Sequence, residues 1–306
     1  MDETTRRAAL SDLYALPGHL LWRAAARVAV ELDRILPGAI DVHAYAALLA
    51  LADREPQSQR SLARLIGVSG TTLTSVAHTL QKDGLVERVR NPEDRRSYSL
   101  TRTAAGQSAV RRWAPHVDRI EAQLTAAFTE DDAERLRELL VLVLDGQLDE
   151  RTPKALLRNT AFLVTRAQQQ GHREFAAALQ PLGIEPRHFG TMRALKIVGS
   201  ATQGEVASLL DVSPATVVQI ADHLEKRGLV MRQRDASDRR VQRLYLAPRA
   251  LDVVDDATAI SSRMFEDRLG GPRSQARKDL VRLLSLLLSG RREARTGRFR
   301  PTPGAR

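Results

Sequence analysis

The sequence predicts a mainly α-helical protein with small β-hairpin wings, built from tandem duplicated winged helix-turn-helix domains. Three observations support this fold class. One constant offset aligns the two halves of the chain, apolar residues recur at helical spacing through most of each half, and one short segment per half alternates like a strand hairpin. Repetition on the scale of a whole domain indicates two folded copies, rather than the small stacked units of a solenoid.

The duplication is clearest at an Asp-Arg-Arg motif that begins at Asp94 and again at Asp238, 144 positions later. At the same offset, the Gly-Leu-Val of residues 84–86 falls on that of residues 228–230. The last residues of the chain are basic and rich in Pro and Gly, a composition typical of disorder. The predicted organisation is a first domain over 1–149, a short junction over 150–153, a second domain over 154–290 and a basic disordered tail over 291–306.

Cap and stop residues define a helix-turn-helix in each copy. In the first copy, Ser58 can cap a short helix that Gly67 ends. Ser69 can cap the next helix, over about residues 70–83, which Gly84 closes. The second copy repeats this order, so each copy presents one capped helix directly after a tight turn.

The remaining elements follow from periodicity and turn residues. In the second copy, Thr202 begins a capping box, and Ser213-Pro214 supplies a cap and a proline for the first helical position. The other elements predicted in the first copy are helices over about 18–36, 42–52, 104–128 and 129–144, and strands over about 85–90 and 97–101.

The composition favours a polyanionic partner, and the sequence contains no recognisable catalytic motif. The formal net charge is +10, and lysine and arginine gain affinity for phosphates by releasing counterions. The chain has no cysteine, which excludes disulfides, thiolate metal sites and a cysteine nucleophile. The histidines are scattered, and neither a phosphate-binding glycine loop nor a nucleophile motif occurs. We therefore predict no enzymatic activity, no cofactor and no metal.

Hydropathy predicts the compartment. The chain has no apolar run of the roughly 18 residues that a membrane helix needs. Its first residues lack the apolar stretch of a signal peptide. We therefore predict a cytoplasmic, nucleoid-associated protein of a bacterial cell.

The second helix of each helix-turn-helix suits the major groove of double-stranded DNA, which is wide enough to admit it. Its exposed early residues would meet base edges, and its capping residue lies beside them. The predicted contacts are Ser69, Thr71, Thr72, Thr74, Ser75 and His78 in the first copy and Ser213, Ala215, Thr216 and Gln219 in the second.

The hairpin of each copy carries a cluster of arginines beside an aspartate. Arginine at a hairpin tip can enter the minor groove, where the negative potential is high, and the aspartate can hold one guanidinium in a bidentate pair. The alternative is that the Asp–Arg pair only stiffens the hairpin, with Arg95 and Arg239 as phosphate contacts or solvated charges. The predicted wing residues are Arg88, Arg90, Asp94, Arg95 and Arg96, and Arg232, Arg234, Asp238, Arg239 and Arg240.

Residues 62–106 and 206–250 resemble the multiple antibiotic resistance regulator (MarR) family. The matching pieces are the helix-turn-helix, the Leu-x-x-x-Gly-Leu-Val exit at 80–86 and 224–230, and the Asp-Arg-Arg wing. The long helices before and after also fit, so the resemblance covers nearly the whole chain, twice. It implies that the first and last helices of the copies share a dimerisation-like interface.

The family resemblance also implies site roles. It implies that Asp94 and Asp238 orient Arg96 and Arg240 into the minor groove. Two features depart from the family, because one chain holds both halves and the middle of the recognition helix lacks the usual arginine. Because the two recognition helices differ there, having Ser75 and Gln219, we expect unlike half-sites.

A small aromatic effector is the second partner that the family resemblance implies. Ordinary packing is the alternative for each residue that would line such a site. The candidates are His19, Trp22, His43, Tyr45, Trp113 and His116 in the first copy and Phe162, His188, Phe189 and Met192 in the second.

These features together predict a sequence-specific double-stranded-DNA-binding transcriptional regulator. We expect a repressor that acts as an intramolecular pseudo-dimer and is released by a small ligand. Whether two chains assemble further stays open, as does whether the basic tail binds a minor groove or is a solvated extension. The alternative function is an architectural or protein-interaction winged-helix protein that binds DNA without operator selectivity.

Overall fold

The structure is a computed structural model. The residues that it describes are 4, 11, 13–36, 38, 41–52, 55–90, 98–235 and 238–296, with side chains described up to residue 289.

The first copy contains the elements in the predicted order, with a short additional strand before the helix-turn-helix. They are α1 (Pro17–Ile35), α2 (Val42–Ala50), β1 (Gln57–Ser58), α3 (Gln59–Ile66), α4 (Gly70–Lys82), β2 (Val86–Arg90), β3 (Tyr98–Arg102), α5 (Ala104–Leu124) and α6 (Glu130–Val143).

The second copy repeats these elements, and α3, α4, β2 and β3 recur with the same lengths at the same offset. Its elements are α7 (Lys154–Leu157), α8 (Thr160–Leu179), α9 (Pro186–Val198), β4 (Ser200–Thr202), α10 (Gln203–Leu210), α11 (Pro214–Lys226), β5 (Val230–Arg234), β6 (Gln242–Leu246), α12 (Ala250–Arg263), α13 (Glu266–Leu269) and α14 (Gln275–Thr296).

Each copy forms a small antiparallel sheet. The strand orders are β1-β3-β2 and β4-β6-β5, so the strand before the helix-turn-helix pairs with the outgoing strand of the hairpin. In the first hairpin Arg90 lies opposite Tyr98, and in the second Arg234 lies opposite Gln242. The part from α2 to β3 is called lobe 1 below, and the part from α9 to β6 is called lobe 2.

The predicted helix signals operate as hydrogen bonds. The Ser58 hydroxyl accepts from the backbone N–H of Ser61 at 3.1 Å, and Gly67 ends α3 in the left-handed conformation, with φ of 70°. In the second copy, Thr202 and Glu205 form the reciprocal capping box, with bonds of 2.8 and 3.2 Å. Because caps and left-handed glycines satisfy the backbone groups that a helix end leaves open, they fix these boundaries locally.

Two compact units build the molecule, each around one lobe. The unit that contains lobe 1 comprises residues 21–168 and 282–306, and the unit that contains lobe 2 comprises residues 1–20 and 169–281. The duplicated sequence suggests boundaries near residue 150, whereas compactness divides the chain elsewhere. The domain bounds read from the repeat stay a prediction.

Short apolar segments account for this difference. In the unit of lobe 2, Leu13 and Leu16 from the start of the chain are buried in the winged-helix core. In the unit of lobe 1, Leu156 of α7 is buried in the corresponding core. Burying a leucine side chain contributes about 1.5–3 kcal/mol, so such segments join the core that they contact rather than their neighbours in sequence.

Two helix ends differ from prediction. The helix α5 ends at Leu124 instead of residue 128, and the chain beyond it turns, with the Phe128 N–H donating to the Thr125 carbonyl. At the other end, α14 continues to Thr296, six residues into the segment predicted to be disordered. Residues 291–296 are mostly good helix formers, whereas the Pro and Gly behind that prediction occur further on, and residues 297–306 lie outside the described part.

None of the described helices combines the length and apolar character needed to cross a bilayer. In the same described residues, no group of three or more His, Cys, Asp or Glu is arranged to hold a metal ion.

Candidate nucleic-acid interface

The second helix of each helix-turn-helix is capped in the same way. In lobe 1 the Ser69 hydroxyl accepts from the backbone N–H of Thr72 at 3.0 Å, and the two hydroxyls lie 2.8 Å apart. In lobe 2, Ser213 and Thr216 form the same pair of bonds, at 3.1 and 2.8 Å. All four residues were predicted to contact DNA, and their observed contacts fix the start of the recognition helix. A capped helix start also presents free backbone N–H groups, which suit a phosphate.

The recognition helices α4 and α11 bury one face and expose the other. Four apolar residues of α4, spaced three or four apart or adjacent, are buried: Leu73, Val76, Ala77 and Leu80. The exposed residues are Thr71, Thr74, Ser75 and His78 in α4, and Ala215, Val218, Gln219 and Asp222 at the same positions of α11. The two helices therefore match in length and capping but differ in the chemistry of their outer faces. The face of α4 carries hydroxyl groups and an imidazole, whereas the face of α11 combines apolar, amide and acidic groups.

The first strand of the lobe 1 wing exposes both of its arginines. Arg88 lies opposite Leu100 in the hairpin, Arg90 lies opposite Tyr98, and both arginine side chains are exposed. The predicted wing residues Asp94, Arg95 and Arg96 lie outside the described residues. The hairpin therefore presents cations along its first strand before the tip.

The wing of lobe 2 is closed by a turn that Asp238 organises. Its carboxylate accepts from the backbone N–H of Arg240 at 2.9 Å, and the N–H of Val241 donates to the Asp238 carbonyl at 2.9 Å. The side chains of Arg239 and Arg240 are exposed. Asp238 thus positions Arg240 through the main chain, whereas the sequence suggested a bidentate pair with a guanidinium.

Arg232 differs from the free wing cation that its sequence position suggested. Its guanidinium donates to the carboxylates of Asp222 and Glu225 on α11, and only 15% of the side chain is exposed. Burial would lower the pKa of Arg232, but the two carboxylates outweigh burial and raise it. Arg232 therefore joins the wing to the recognition helix and is already neutralised.

Family models match both lobes. A model described as MarR family matches residues 42–98, and a second MarR-family model matches residues 182–241. Each match includes one complete helix-turn-helix.

This chain carries two tandem MarR-type domains.

The chain is also similar to several solved structures of transcriptional regulators. The transcriptional repressor CouR of Rhodococcus jostii, bound to a DNA duplex, is 28% identical, and the match covers 42% of this chain and 90% of CouR with a TM-score of 0.38. The PcaV regulator of Streptomyces coelicolor, in complex with its natural ligand, is 26% identical over 42% of this chain and 92% of PcaV, with a TM-score of 0.40. A probable transcriptional regulator of Pseudomonas aeruginosa is 27% identical over 40% and 93%, with a TM-score of 0.38.

The two MarR family matches and the described fold confirm the predicted class, with mainly helical tandem domains and hairpin wings. MarR-family proteins are DNA-binding transcription regulators, and this general description applies to the protein.

Most of the predicted effector-binding residues are occupied in packing. In the unit of lobe 1, Trp113 and Phe162 pack against the winged-helix core, and the guanidinium of Arg166 lies 6.0 Å from the centre of the Phe162 ring. Tyr45 has a raised pKa because burial, and then the charge of Asp118, disfavour its ionised form. Trp22, His43 and His116 are half-buried in the same unit.

In the unit of lobe 2, the candidate effector residues divide between the core and its edge. Phe189 and Met192 are buried, and Phe189 meets Phe175 edge-on with ring centres 5.3 Å apart. His19 stacks on Tyr14 at 6.0 Å. These contacts agree with the packing alternative, and an effector site at these residues stays a prediction.

His188 forms a contact that links α9 to the recognition helix of lobe 2. Its ring stacks on His223 of α11, with centres 4.6 Å apart and planes 11° from parallel. Its Nδ1 accepts the backbone N–H of Glu185 at 3.0 Å, while the buried Nε2 forms no hydrogen bond with any described residue. The pKa of His188 is lowered to about 4, chiefly by burial and also by the charges of His223, Arg187 and Arg227, against the opposing effect of Glu185.

Lobe 2 should therefore lose stability in mild acid. The pKa of His188 lies near 4 when folded and near 6.5 when unfolded, so between these values the unfolded chain binds more protons. The free energy of unfolding should fall as the pH drops from about 6.5 to 4, by about 1–3 kcal/mol. Denaturant unfolding at several pH values measures this, and His188→Ala, which restores the residue that lobe 1 has at Ala44, should flatten the dependence. An unchanged pH profile in that variant would contradict the assignment.

Three residues that contact predicted site residues were not singled out from the sequence: Asp222 and Glu225, which pair with Arg232, and His223, which stacks on His188. Asp222 and Glu225 lie one turn apart on the exposed side of α11, and Arg232 follows in the next strand. The signal was present as a difference between copies, because lobe 1 has His78 and Gln81 at the matching positions.

Proposed function

We propose that this protein is a sequence-specific transcriptional regulator that binds double-stranded DNA as an intramolecular pseudo-dimer. Helices α4 and α11 would enter successive major grooves, about 34 Å apart, with the wings following the adjacent minor grooves. The observation that carries this proposal is the matching frame of the two recognition helices. Each is capped by a Ser–Thr pair, buries four apolar residues and exposes its opposite face beside a hairpin with exposed arginines.

Holding both lobes in one chain would make dimerisation independent of concentration, because each lobe is present to the other at high effective concentration. Each lobe could then read its own half-site. We further propose that the protein acts as a repressor on bacterial chromosomal DNA.

Selection of bound duplexes from a random-sequence pool, at near-physiological salt, tests the proposal. Two unlike half-sites about one helical turn apart are the expected product. A perfect palindrome would instead indicate two chains that each use one lobe. Uniform affinity for all duplexes, with strong salt dependence, would replace the proposal with the architectural alternative.

We also propose control by a small aromatic effector. A ligand releases DNA only if it binds the non-binding conformation more tightly, so the expected result is an effector that lowers operator affinity. Titration calorimetry over a panel of aromatic acids, followed by operator binding in the presence of each hit, measures this. A panel with no binding compound would remove the support for ligand control.

A further inference from the structure

We infer that the two lobes contribute differently to DNA binding. Lobe 1 supplies most of the affinity that comes from phosphate contacts, and lobe 2 contributes mainly the selection of bases. This inference rests on the proposed function. Three observations carry it: the charges of the two helix-turn-helix segments, the pairing of Arg232, and the chemistry of the exposed face of α11.

The two helix-turn-helix segments, residues 59–82 and 203–226, have equal length and opposite charge. The first has a formal charge of +3 and no acidic residue, whereas the second has a formal charge of −3. Phosphate contacts supply the sequence-independent part of DNA affinity, so this part should come from lobe 1. The charged residues are Arg60, Arg64 and Lys82 in the first segment, and Glu205, Asp211, Asp222, Glu225 and Lys226 in the second.

Two acidic residues of α11 also form ion pairs with Arg232, the wing cation that could otherwise have attracted a phosphate. Arg232 is held by both Asp222 and Glu225, whose own side chains remain 50% and 41% exposed. The matching Arg88 of lobe 1 is exposed and forms no ion pair with any residue in the described part of the chain. A phosphate that approached Arg232 would have to displace two carboxylates and remain beside them, which like-charge repulsion opposes.

The outer face of α11 is better suited to bases than to phosphates. Ala215 and Gln219 are exposed, and Val218 is 36% exposed between them. Small apolar side chains contact the thymine methyl group, and glutamine can pair with N6 and N7 of adenine, so the face fits an A·T-containing half-site. A bidentate base contact is worth about 1–3 kcal/mol of discrimination, which lobe 2 can provide without adding to the salt-dependent affinity.

An exchange of residues between the lobes of the full chain tests the inference. Asp222→His with Glu225→Gln gives lobe 2 the residues of lobe 1, and His78→Asp with Gln81→Glu does the reverse. The probe is a mixed-sequence duplex of about three helical turns, titrated at several salt concentrations. The first variant should bind at least about tenfold more tightly, with a salt slope steeper by about one phosphate contact as Arg232 is released. The second should bind at least about tenfold more weakly.

A matched control separates position from net charge. Asp252→Asn with Asp256→Asn removes two exposed carboxylates from α12, in the same unit as lobe 2. This control should leave affinity and salt slope nearly unchanged. Thermal unfolding checks that each variant folds, and Asp222→Asn with Glu225→Gln serves as a closer replacement if the histidine variant does not.

The outcomes distinguish the two proposals. If the unmodified protein binds no duplex at any salt concentration, the proposed function fails. If it binds DNA but the exchange variants behave like the α12 control, the function stands and the division of work between the lobes is overturned.

Discussion

Replacing both Arg96 and Arg240 with alanine should lower affinity for the selected operator by about 100-fold or more, because each groove contact is worth about 1–3 kcal/mol. Arg240 is exposed at the wing of lobe 2, and its backbone is fixed by the Asp238 carboxylate. Arg96 occupies the same position in the repeat of lobe 1. An arginine that reads a narrow minor groove responds to DNA shape, so affinity for the operator should fall more than affinity for a mixed-sequence duplex. Fluorescence anisotropy with both duplexes measures the difference.

The control removes two arginines of equal charge from elsewhere in the two copies. Arg111 of α5 and Arg263 of α12 are exposed and lie outside the helix-turn-helix and the wing. Their double alanine variant should retain operator affinity to within about twofold. If the wing variant binds the operator as tightly as this control, the minor-groove role of the wings is wrong.

Replacing Gly106 with alanine should destabilise the unit of lobe 1, although glycine to alanine in a helix normally stabilises by about 1 kcal/mol. A Cβ at Gly106 would lie 2.2 Å from the backbone carbonyl oxygen of Leu85. That carbonyl is held by the N–H of Thr103 at 3.1 Å, so it cannot move away freely. Overpacking of this kind costs about 1–3 kcal/mol and sometimes more. We therefore expect a net loss in the free energy of unfolding, measured by denaturant titration.

Gly204 offers the matched control for this substitution. It is also a helical glycine, but a Cβ there would meet no atom within 4 Å. Gly204→Ala should therefore stabilise the protein slightly, by about 0.5–1 kcal/mol. Equal stabilisation by both substitutions would show that α5 can move away from the turn at Leu85. The position that matches Gly106 in the second copy is Ala250, which is fully buried, so the close approach belongs to the unit of lobe 1.

The two copies carry different residues at matching positions on which two of the predictions depend. The same frame holds Gly106 in one copy and Ala250 in the other, and His78 in one copy and Asp222 in the other. The recognition helix buries four apolar residues in both copies, whereas its exposed face differs between them. Divergence at that face is what a single chain permits, because a homodimer must present the same helix twice.

The sequence by itself determined the elements whose boundaries depend on neighbours along the chain. The caps at Ser58, Ser69, Thr202 and Ser213 and the left-handed glycine at Gly67 act within a few residues, so their chemistry is readable from spacing alone. Because the two copies align at one constant offset, the elements predicted in the first copy also predicted those of the second. The short strands β1 and β4 went unpredicted because they exist only through pairing with β3 and β6.

Only the tertiary structure decided which distant side chains meet. Arg232 pairs with Asp222 and Glu225, His188 stacks on His223, and the segments that carry Leu13 and Leu156 join cores far from their neighbours in sequence. Such contacts are set by the distance between packed elements, which spacing along the chain does not encode. Sequence therefore identified the winged-helix frame and the candidate DNA-binding residues, while the folded chain determined which of the described charges are paired within the protein.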